Sequence, residues 1–166
     1  MTNFNIFIEN TYSNFDIDEV KIYNDTIKIT KFIFQDESII NKSCLNSFKY
    51  DSISFDIVLT NNEDIHRINK QYRNKDCPTD VITFAIFADS PSGEKFIIDK
   101  DINLGEMIIS LDKIIEQSKE NNISFNEELY FIISHGILHL LGFDHQTEED
   151  YNFMVQIQDK TKAQVL

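Results

Sequence analysis

The chain has 166 residues, of which 42% are hydrophobic, and it carries a formal net charge of −13 at pH 7. This length and composition fit one globular domain with a buried core and exclude an intrinsically disordered protein. The acidic balance excludes the overall basic character that is typical of non-specific nucleic-acid binders. Any contact with nucleic acid therefore requires a local basic patch, a metal or a partner that supplies positive charge.

The sequence contains no signal for a membrane or for secretion. Residues 1–4 lack the basic region and the long apolar core of a signal peptide, and no apolar run approaches the length of a membrane span. Cys44 and Cys77 share no short metal-binding spacing, so two free thiols are the plain interpretation. We therefore expect a cytoplasmic protein without a membrane segment.

The N-terminal third predicts a strand followed by a helix. Residues 3–9 alternate between apolar and polar side chains, which indicates a strand. Apolar residues recur at helical spacing over residues 18–36, so we expect a helix there. The apolar residues that recur at this spacing are Val20, Tyr23, Ile27 and Phe34. Residues 38–50 leave open a loop or a short helix, and residues 53–59 form a second, better defined strand.

The middle of the chain begins with a capping box. Thr60-Asn61-Asn62-Glu63 is typical of a helix start, and this helix is expected to run to about residue 72. A loop that contains Pro78 follows. The other elements predicted here are a strand at residues 81–87, a turn at 89–93, a short strand at 96–98 and a strand at 104–109.

Three serine or threonine caps indicate the last three helices. Ser110 caps a helix that ends near residue 120, Ser124 opens the helix that carries His135 and His139, and Thr147 caps the final helix. One stripe of the final helix consists of Tyr151, Met154, Val155 and Gln158. The middle helix of the three is apolar nearly all round, which is typical of a helix buried in the centre of a domain.

No internal repeat, low-complexity linker or domain boundary interrupts this series of elements. The elements predict one α+β domain that spans residues 1–166. We expect a mixed sheet of about four strands packed with helices, and a metal site on the buried central helix.

Three of the four histidines lie within residues 134–145. His135 and His139 are four residues apart and so face the same side of a helix, one turn above the other. Gly142 stands where a helix ends in a left-handed residue, and the turn after it can direct His145 back towards the other two. Three imidazole nitrogens with a fourth coordination position open are typical of a catalytic zinc site.

The spacing of these histidines is similar to that of the metzincin peptidases, which carry a glutamate as general base directly after the first histidine. Gly136 occupies that position here, so the peptidase interpretation lacks its base. Residues 135–145 resemble, at every specified position, the signature His-Gly-x-Leu-His-Leu-x-Gly-[Tyr/Phe]-Asp-His of the YbeY family. That family is known as metal-dependent, single-strand-specific endoribonucleases that mature bacterial ribosomal RNA.

Residues 68–84 resemble a second pattern of the same family, Leu-Asn-x-x-[Tyr/Phe]-Arg-x-x-Asp-x-Pro-Thr-[Asp/Asn]-Val-Leu-Ser-Phe. The departures are Ile68, Ile82 and Thr83. The resemblance places the family's functional arginine on Arg73, whose guanidinium suits phosphate because it binds two oxygens as a fork. The alternative without a functional role is an arginine paired with a surface carboxylate. The resemblance covers roughly residues 53–158, and no motif is recognised in residues 1–50.

Other polar residues near these motifs have competing interpretations. Glu106 replaces an aspartate of the family pattern, and a place in a buried strand is preferred over a place in the site. Asp144 either orients a ligand or caps the last helix. Thr79 and Asp80 shape the turn into the next strand, and Asp80 is also a candidate for reaching the cleft. His66 is interpreted as a surface residue and not as a ligand.

The resemblance implies a zinc-dependent endoribonuclease, with one zinc ion per chain, that acts in ribosome quality control and in 3′-end processing of 16S ribosomal RNA. His135, His139 and His145 would hold the metal, and Arg73 would bind the scissile phosphate. The expected partners are single-stranded or ribosomal RNA and the ribosome or a basic ribosomal protein. Two alternatives remain, a metallopeptidase and a non-catalytic assembly factor. The nucleophile is open between water activated by the metal and the RNA 2′-OH.

Overall fold

A computed structural model describes residues 1–166 as four strands and seven α-helices. The strands are β1 (Asn3–Asn10), β2 (Ser52–Thr60), β3 (Val81–Phe84) and β4 (Asp101–Ser110). The helices are α1 (Glu19–Gln35), α2 (Glu37–Lys42), α3 (Asn62–Arg73), α4 (Ile86–Asp89), α5 (Leu111–Glu120), α6 (Phe125–Leu140) and α7 (Glu148–Lys162). The predicted α+β class is confirmed.

The four strands form one mixed sheet in the order β1-β2-β4-β3. β1, β2 and β4 run parallel, and β3 joins the edge antiparallel to β4. Parallel neighbours need a crossover connection, and α1 with α2 supplies it between β1 and β2. The prediction of a mixed sheet of four strands is confirmed.

Helix α6 lies in the centre of the hydrophobic core. The core comprises 29 buried apolar residues, to which β2 contributes alternate positions and α6 contributes residues around most of its circumference. The apolar residues of α6 in this core are Leu129, Tyr130, Ile132, Ile133, Ile137, Leu138 and Leu140. The helix contacts α1, α5, α7, β3 and β4, so the predicted central helix is confirmed. No helix is both long enough and apolar enough to cross a membrane.

The apolar residues that predicted α1 lie only in part on its buried side. Ile27 and Phe34 are partly buried against the core, whereas Val20 is 71% exposed and Tyr23 is 39% exposed. The residues that α1 buries are Ile22, Asp25, Thr26, Ile29, Thr30 and Ile33. Three of these are polar, so hydrophobicity alone does not identify the buried face.

Local and tertiary hydrogen bonds explain how α1 buries polar side chains. The hydroxyls of Thr26 and Thr30 donate to carbonyls one turn earlier in the helix. Asp25 accepts a hydrogen bond of 2.8 Å from the Tyr130 hydroxyl on α6 and pairs with two lysines of its own helix. Burial raises the pKa of Asp25, but these hydrogen bonds outweigh it and hold the pKa below its usual value. The carboxylate therefore joins α1 to the central helix.

Several predicted boundaries need correction. The cap of α3 is Asn61 and not Thr60, because Thr60 still belongs to β2 and the Asn61 side chain accepts from the Asp64 N–H. Strand β3 ends at Phe84, since the chain turns directly into α4. The predicted strand at residues 96–98 is only a single bridge between Ile98 and Asp101.

The last helices begin where the caps predict. The side chains of Ser110, Ser124 and Thr147 accept from backbone N–H groups at the starts of α5, α6 and α7. On the stripe of α7, Met154 and Gln158 are buried, whereas Tyr151 is 56% exposed. Residues 38–50, for which the sequence left open a loop or a short helix, contain all but the first residue of the short helix α2.

Strand β4 contains a bulge at Gly105. Ser54 pairs with Asn103 and Asp56 pairs with Glu106, so β4 has one more residue than β2 between these pairs. Gly105 has a φ of +125°, and a Cβ at this position would lie 1.9 Å from the carbonyl oxygen of Phe84. Only glycine fits where β3 turns away from β4.

We expect Gly105→Ala to destabilise the protein by more than about 3 kcal/mol, because the new methyl group meets backbone and the φ is unfavourable for alanine. Urea unfolding followed by circular dichroism measures the change. Gly93→Ala is the matched control, since a Cβ there meets nothing within 4 Å. Equal stability of the two variants would contradict this account of the bulge.

Candidate metal centre

The structure brings the three predicted histidines together. His135 and His139 lie one turn apart on α6, and His145 reaches them from the turn after the helix. The ring centroids are 4.4 Å apart for His135–His139, 5.5 Å for His135–His145 and 5.4 Å for His139–His145. One ring nitrogen of each histidine lies within 4.8 Å of those of the other two.

A Schellman motif at the end of α6 directs the chain back towards the helix. Gly142 has a φ of +91°, and its N–H donates to the His139 carbonyl at 2.9 Å. The Phe143 N–H donates to the Leu138 carbonyl at 3.0 Å, which completes the motif. The left-handed residue predicted at Gly142 is confirmed, and this turn places His145 beside the helical pair.

The N-terminal third of the chain supports this turn. The Cys44 N–H donates to the Leu141 carbonyl at 2.8 Å, which satisfies a group that the end of the helix would leave unpaired. A Cβ added at Gly142 would lie 3.4 Å from the Ala88 Cβ and 3.5 Å from the Cys44 Cβ. Segments far apart in sequence therefore pack against the residues that lead to His145.

The three side chains form a group able to hold one metal ion. The Nε2 atoms of His135 and His139 are 2.9 Å apart. Two nitrogens at about 2.0–2.1 Å from one tetrahedral ion lie roughly 3.3 Å apart, so a small adjustment of the rings accommodates it. His135 and His139 are partly buried and His145 is exposed, which leaves one side of the group accessible. The residues present fit a zinc-sized cation.

Burial keeps the helical histidines in the form that binds metal. Burial first, and then the nearby His135 and His145, lower the pKa of His139 from 6.5 to about 4. Burial also lowers the pKa of His135, although a hydrogen bond to Gln158 acts in the opposite direction. Both rings are therefore neutral near physiological pH and keep a free lone pair for a cation.

The histidines line a cleft of about 530 Å³ that also contains Arg73. Arg73 is the last residue of α3, and its Nη2 donates to the Thr83 carbonyl at 3.4 Å. Among the residues that line the cleft, Arg73 is the only lysine or arginine. Lys70 lies on the same helix, but it pairs with Asp76 and does not line the cleft.

Hydrogen bonds hold the end of α3 that carries Arg73. Asn74 ends the helix with a φ of +55°, and the Lys75 N–H then donates to the Asn69 carbonyl at 3.3 Å. Asn69 is 2% exposed, and its Nδ2 donates to the Cys77 carbonyl at 2.8 Å. The loop after Arg73 is thus folded back on its own helix. These bonds fix the backbone position from which the Arg73 side chain extends.

The polar residues with competing interpretations are now placed. Thr79 and Asp80 line the cleft. Asp144 also lines it and accepts from the His145 N–H at 2.8 Å, so it supports the ligand turn, whereas Thr147 caps α7. Glu106 does not line the cleft and faces a separate recess on β4, which agrees with the strand interpretation. His66 is exposed and bonded to Asp76, outside the site.

Comparison with known proteins decides the family. The family model described as Endoribonuclease YbeY matches residues 7–165. The chain belongs to this family. The match includes the N-terminal third, where no motif was recognised in the sequence, and it confirms the resemblance stated for residues 53–158.

Curated relatives named Endoribonuclease YbeY support the same assignment. That of Fusobacterium nucleatum is 46% identical over 116 residues, which cover 68% of this chain and 69% of the relative. That of Malacoplasma penetrans is 40% identical over 127 residues, which cover 76% and 73%. A solution structure from Thermotoga maritima aligns with a TM-score of 0.62, 23% identity and coverage of 96% of this chain and 88% of that one, which shows a shared fold.

In this YbeY-family chain, Gly136 faces the sheet and not the cleft. A Cβ at this position would lie 2.8 Å from Sδ and 3.0 Å from Cε of Met107, which is fully buried. A glutamate here would push a carboxylate into the core. At the position where a metzincin carries its general base, a side chain would therefore face the core and displace the end of Met107.

Sequence reasoning missed Gln158 as a residue of the site. It was placed only on one stripe of α7, but its Oε1 lies 3.3 Å from Nδ1 of His135. The signal available in the sequence was one amide side chain on an otherwise apolar stripe. That signal cannot name the partner, because the two residues are 23 positions apart.

The depressed pKa of His139 makes a prediction about acid stability. In the unfolded chain the ring titrates near 6.5, and in the folded metal-free protein near 4. The unfolded state therefore binds more protons between these values, and stability is lost as the pH falls from about 6.5 to about 4. In urea unfolding of metal-free protein, His139→Gln should show a shallower loss over this range than the wild type. Equal slopes would contradict the assignment.

Proposed function

We propose that this chain is a zinc-dependent endoribonuclease that cleaves single-stranded RNA during maturation of ribosomal RNA in the cytoplasm. His135, His139 and His145 would hold the zinc ion, and Arg73 would bind the scissile phosphate. One observation carries the proposal. The three histidines and the only arginine of the cleft meet in one site, in a chain that belongs to the Endoribonuclease YbeY family.

The charge of the cleft determines where a phosphate can bind. The chain has a net charge of −13, and Asp80, Asp89 and Asp144 are among the residues that line the cleft. These carboxylates repel a phosphodiester. Attraction is left to Arg73 and to the cation that the histidines would hold, so the phosphate is directed to the space between them.

Arg73 has the donors needed to orient and stabilise the reacting phosphate. The bond to the Thr83 carbonyl uses one N–H of the guanidinium, which leaves the other donors for phosphate oxygens. These donors would stabilise the negative charge that grows on the non-bridging oxygens in the transition state. When bound, zinc supplies Lewis acidity, which polarises a phosphate oxygen and lowers the pKa of water.

Two of the three carboxylates of the cleft, Asp80 and Asp144, have structural partners. Asp80 accepts from the Val81 N–H at 2.7 Å and from Gln117 at 3.2 Å. Asp144 accepts from His145 and Gln146, each at 2.8 Å. Because their oxygens already hold the turns on which the site is built, we assign these two residues to positioning and not to proton transfer.

An RNA cleavage assay tests the proposal. We expect Arg73→Ala to lower kcat/KM on a single-stranded substrate by on the order of 10²–10³-fold, because a donor to the transition state is lost. Its zinc content and thermal stability should stay at the wild-type level, since the side chain is exposed. His139→Ala should lose both zinc and activity.

Arg67→Ala is the matched control for this assay. Arg67 is an exposed arginine on the same helix that pairs with Asp64 and does not line the cleft, so this variant should keep its activity. Full activity of Arg73→Ala would refute the assigned role. The product ends identify the nucleophile, since attack by the 2′-OH leaves a cyclic phosphate and attack by water does not.

We further propose that the chain works on the ribosome, beside a basic ribosomal protein. A net charge of −13 opposes approach to RNA, and a basic partner offsets that repulsion. Purified protein should co-sediment with small ribosomal subunits in a salt-sensitive manner, as expected for association through opposite charges. Absence from the ribosomal fraction at low salt would contradict this part of the proposal.

A further inference from the structure

We infer that Gln158 is a positioning residue that fixes the tautomer and the ring orientation of His135. The inference rests on the proposed metal site and adds a supporting residue to it. Gln158 lies on α7 and is 1% exposed, yet it does not belong to the hydrophobic cluster around it. Its amide reaches His135 with one end and the backbone of α6 with the other.

The orientation of the Gln158 amide follows from its partners. Nε2 lies 3.2 Å from the carbonyl oxygen of Phe131, and a carbonyl can only accept a hydrogen bond. The atom at this end must therefore be the NH₂ group, because a flipped amide would place two oxygens against each other. Oε1 is then the atom 3.3 Å from Nδ1 of His135.

The tautomer of His135 follows in turn. An amide oxygen carries no proton, so Nδ1 of His135 must be the donor in this contact. A neutral imidazole carries one N–H, and the lone pair therefore lies on Nε2. Nε2 is the atom that faces Nε2 of His139, on the side where the three histidines converge. Gln158 thus leaves the metal-facing nitrogen of His135 unprotonated.

A second contact fixes the position of Gln158 along α7 relative to His135 on α6. Thr161 is completely buried, and its hydroxyl donates to the Gln158 carbonyl at 2.8 Å. The same hydroxyl lies 2.6 Å from the hydroxyl of Ser134, the residue directly before His135 on α6. This polar contact between α6 and α7 holds the two helices in one register. The contacts between α6 and α7 therefore hold the Gln158 amide beside the imidazole ring of His135.

Supporting hydrogen bonds of this kind matter for metal affinity. A ligand ring held in the correct tautomer and orientation binds its metal without a further ordering step, and loss of such a partner typically weakens binding by about 10–100-fold. In this chain the support comes from an uncharged amide. A carboxylate at position 158 would also accept from Nδ1, but it would face the Phe131 carbonyl without a donor.

Zinc affinity and stability of three variants of the full chain test the inference. Gln158→Leu keeps the volume and removes the acceptor, so zinc binding measured by chelator competition should weaken by about 10–100-fold. Gln158→Glu retains an acceptor and loses the bond to Phe131, so it should be less stable than the wild type and yet bind zinc at least as tightly. Lys162→Met is the control for a lost polar contact between α6 and α7, because Lys162 pairs with Glu127 in the first turn of α6, and its zinc affinity should match the wild type.

The inference would be overturned if zinc affinity fell in proportion to the loss of stability across the three variants. A purely structural role of Gln158 predicts that proportionality. Unchanged zinc binding by folded Gln158→Leu would overturn it as well. Long-range proton–nitrogen NMR correlations of wild-type metal-free protein at mildly alkaline pH provide a test that needs no variant. His135 should carry its proton on Nδ1, and a proton on Nε2 would refute the assignment. Failure of the wild type to bind zinc would refute the metal site itself, a result distinct from these.

Discussion

The burial of α6 is the constraint on which the site depends. A helix that is apolar nearly all round is held on every side by the sheet and by neighbouring helices, so it has little freedom to shift or rotate. Its last turn carries two of the three histidines, and the glycine that ends it determines where the third lies. The packing of the core therefore fixes the relative positions of the three histidines that are proposed as ligands.

The two parts of the proposed site reach the cleft by different routes. The histidines come from the buried helix and the turn after it, whereas Arg73 comes from the exposed end of α3. A rigid set of neutral donors thus faces a long, flexible cation. Rigid placement suits a metal, whose bond lengths are narrow, and a flexible guanidinium suits a substrate that must enter and leave.

Local signals in the sequence predicted well, and signals that depend on tertiary contacts did not. The caps at Ser110, Ser124 and Thr147 and the left-handed Gly142 were correct, because each depends on residues within one turn. The buried face of α1 was predicted only in part, since buried Asp25 is stabilised by Tyr130, a residue 105 positions away. Gln158 was missed for the same reason. Only the family resemblance predicted that Arg73 and the histidines lie in one cleft. The spacing of residues in the sequence does not show how α3 and α6 pack.

The three histidines lie within eleven consecutive residues, from His135 to His145. A cross-link over so short a segment removes less conformational entropy from the unfolded chain than one that joins distant segments, because the effect grows with loop length. A metal that binds the folded site would stabilise it according to its affinity for that site. The core around α6 involves no ligand from another segment, so we expect the polypeptide to complete its fold first and to acquire the ion afterwards. Ion exchange at this centre would then proceed without global unfolding.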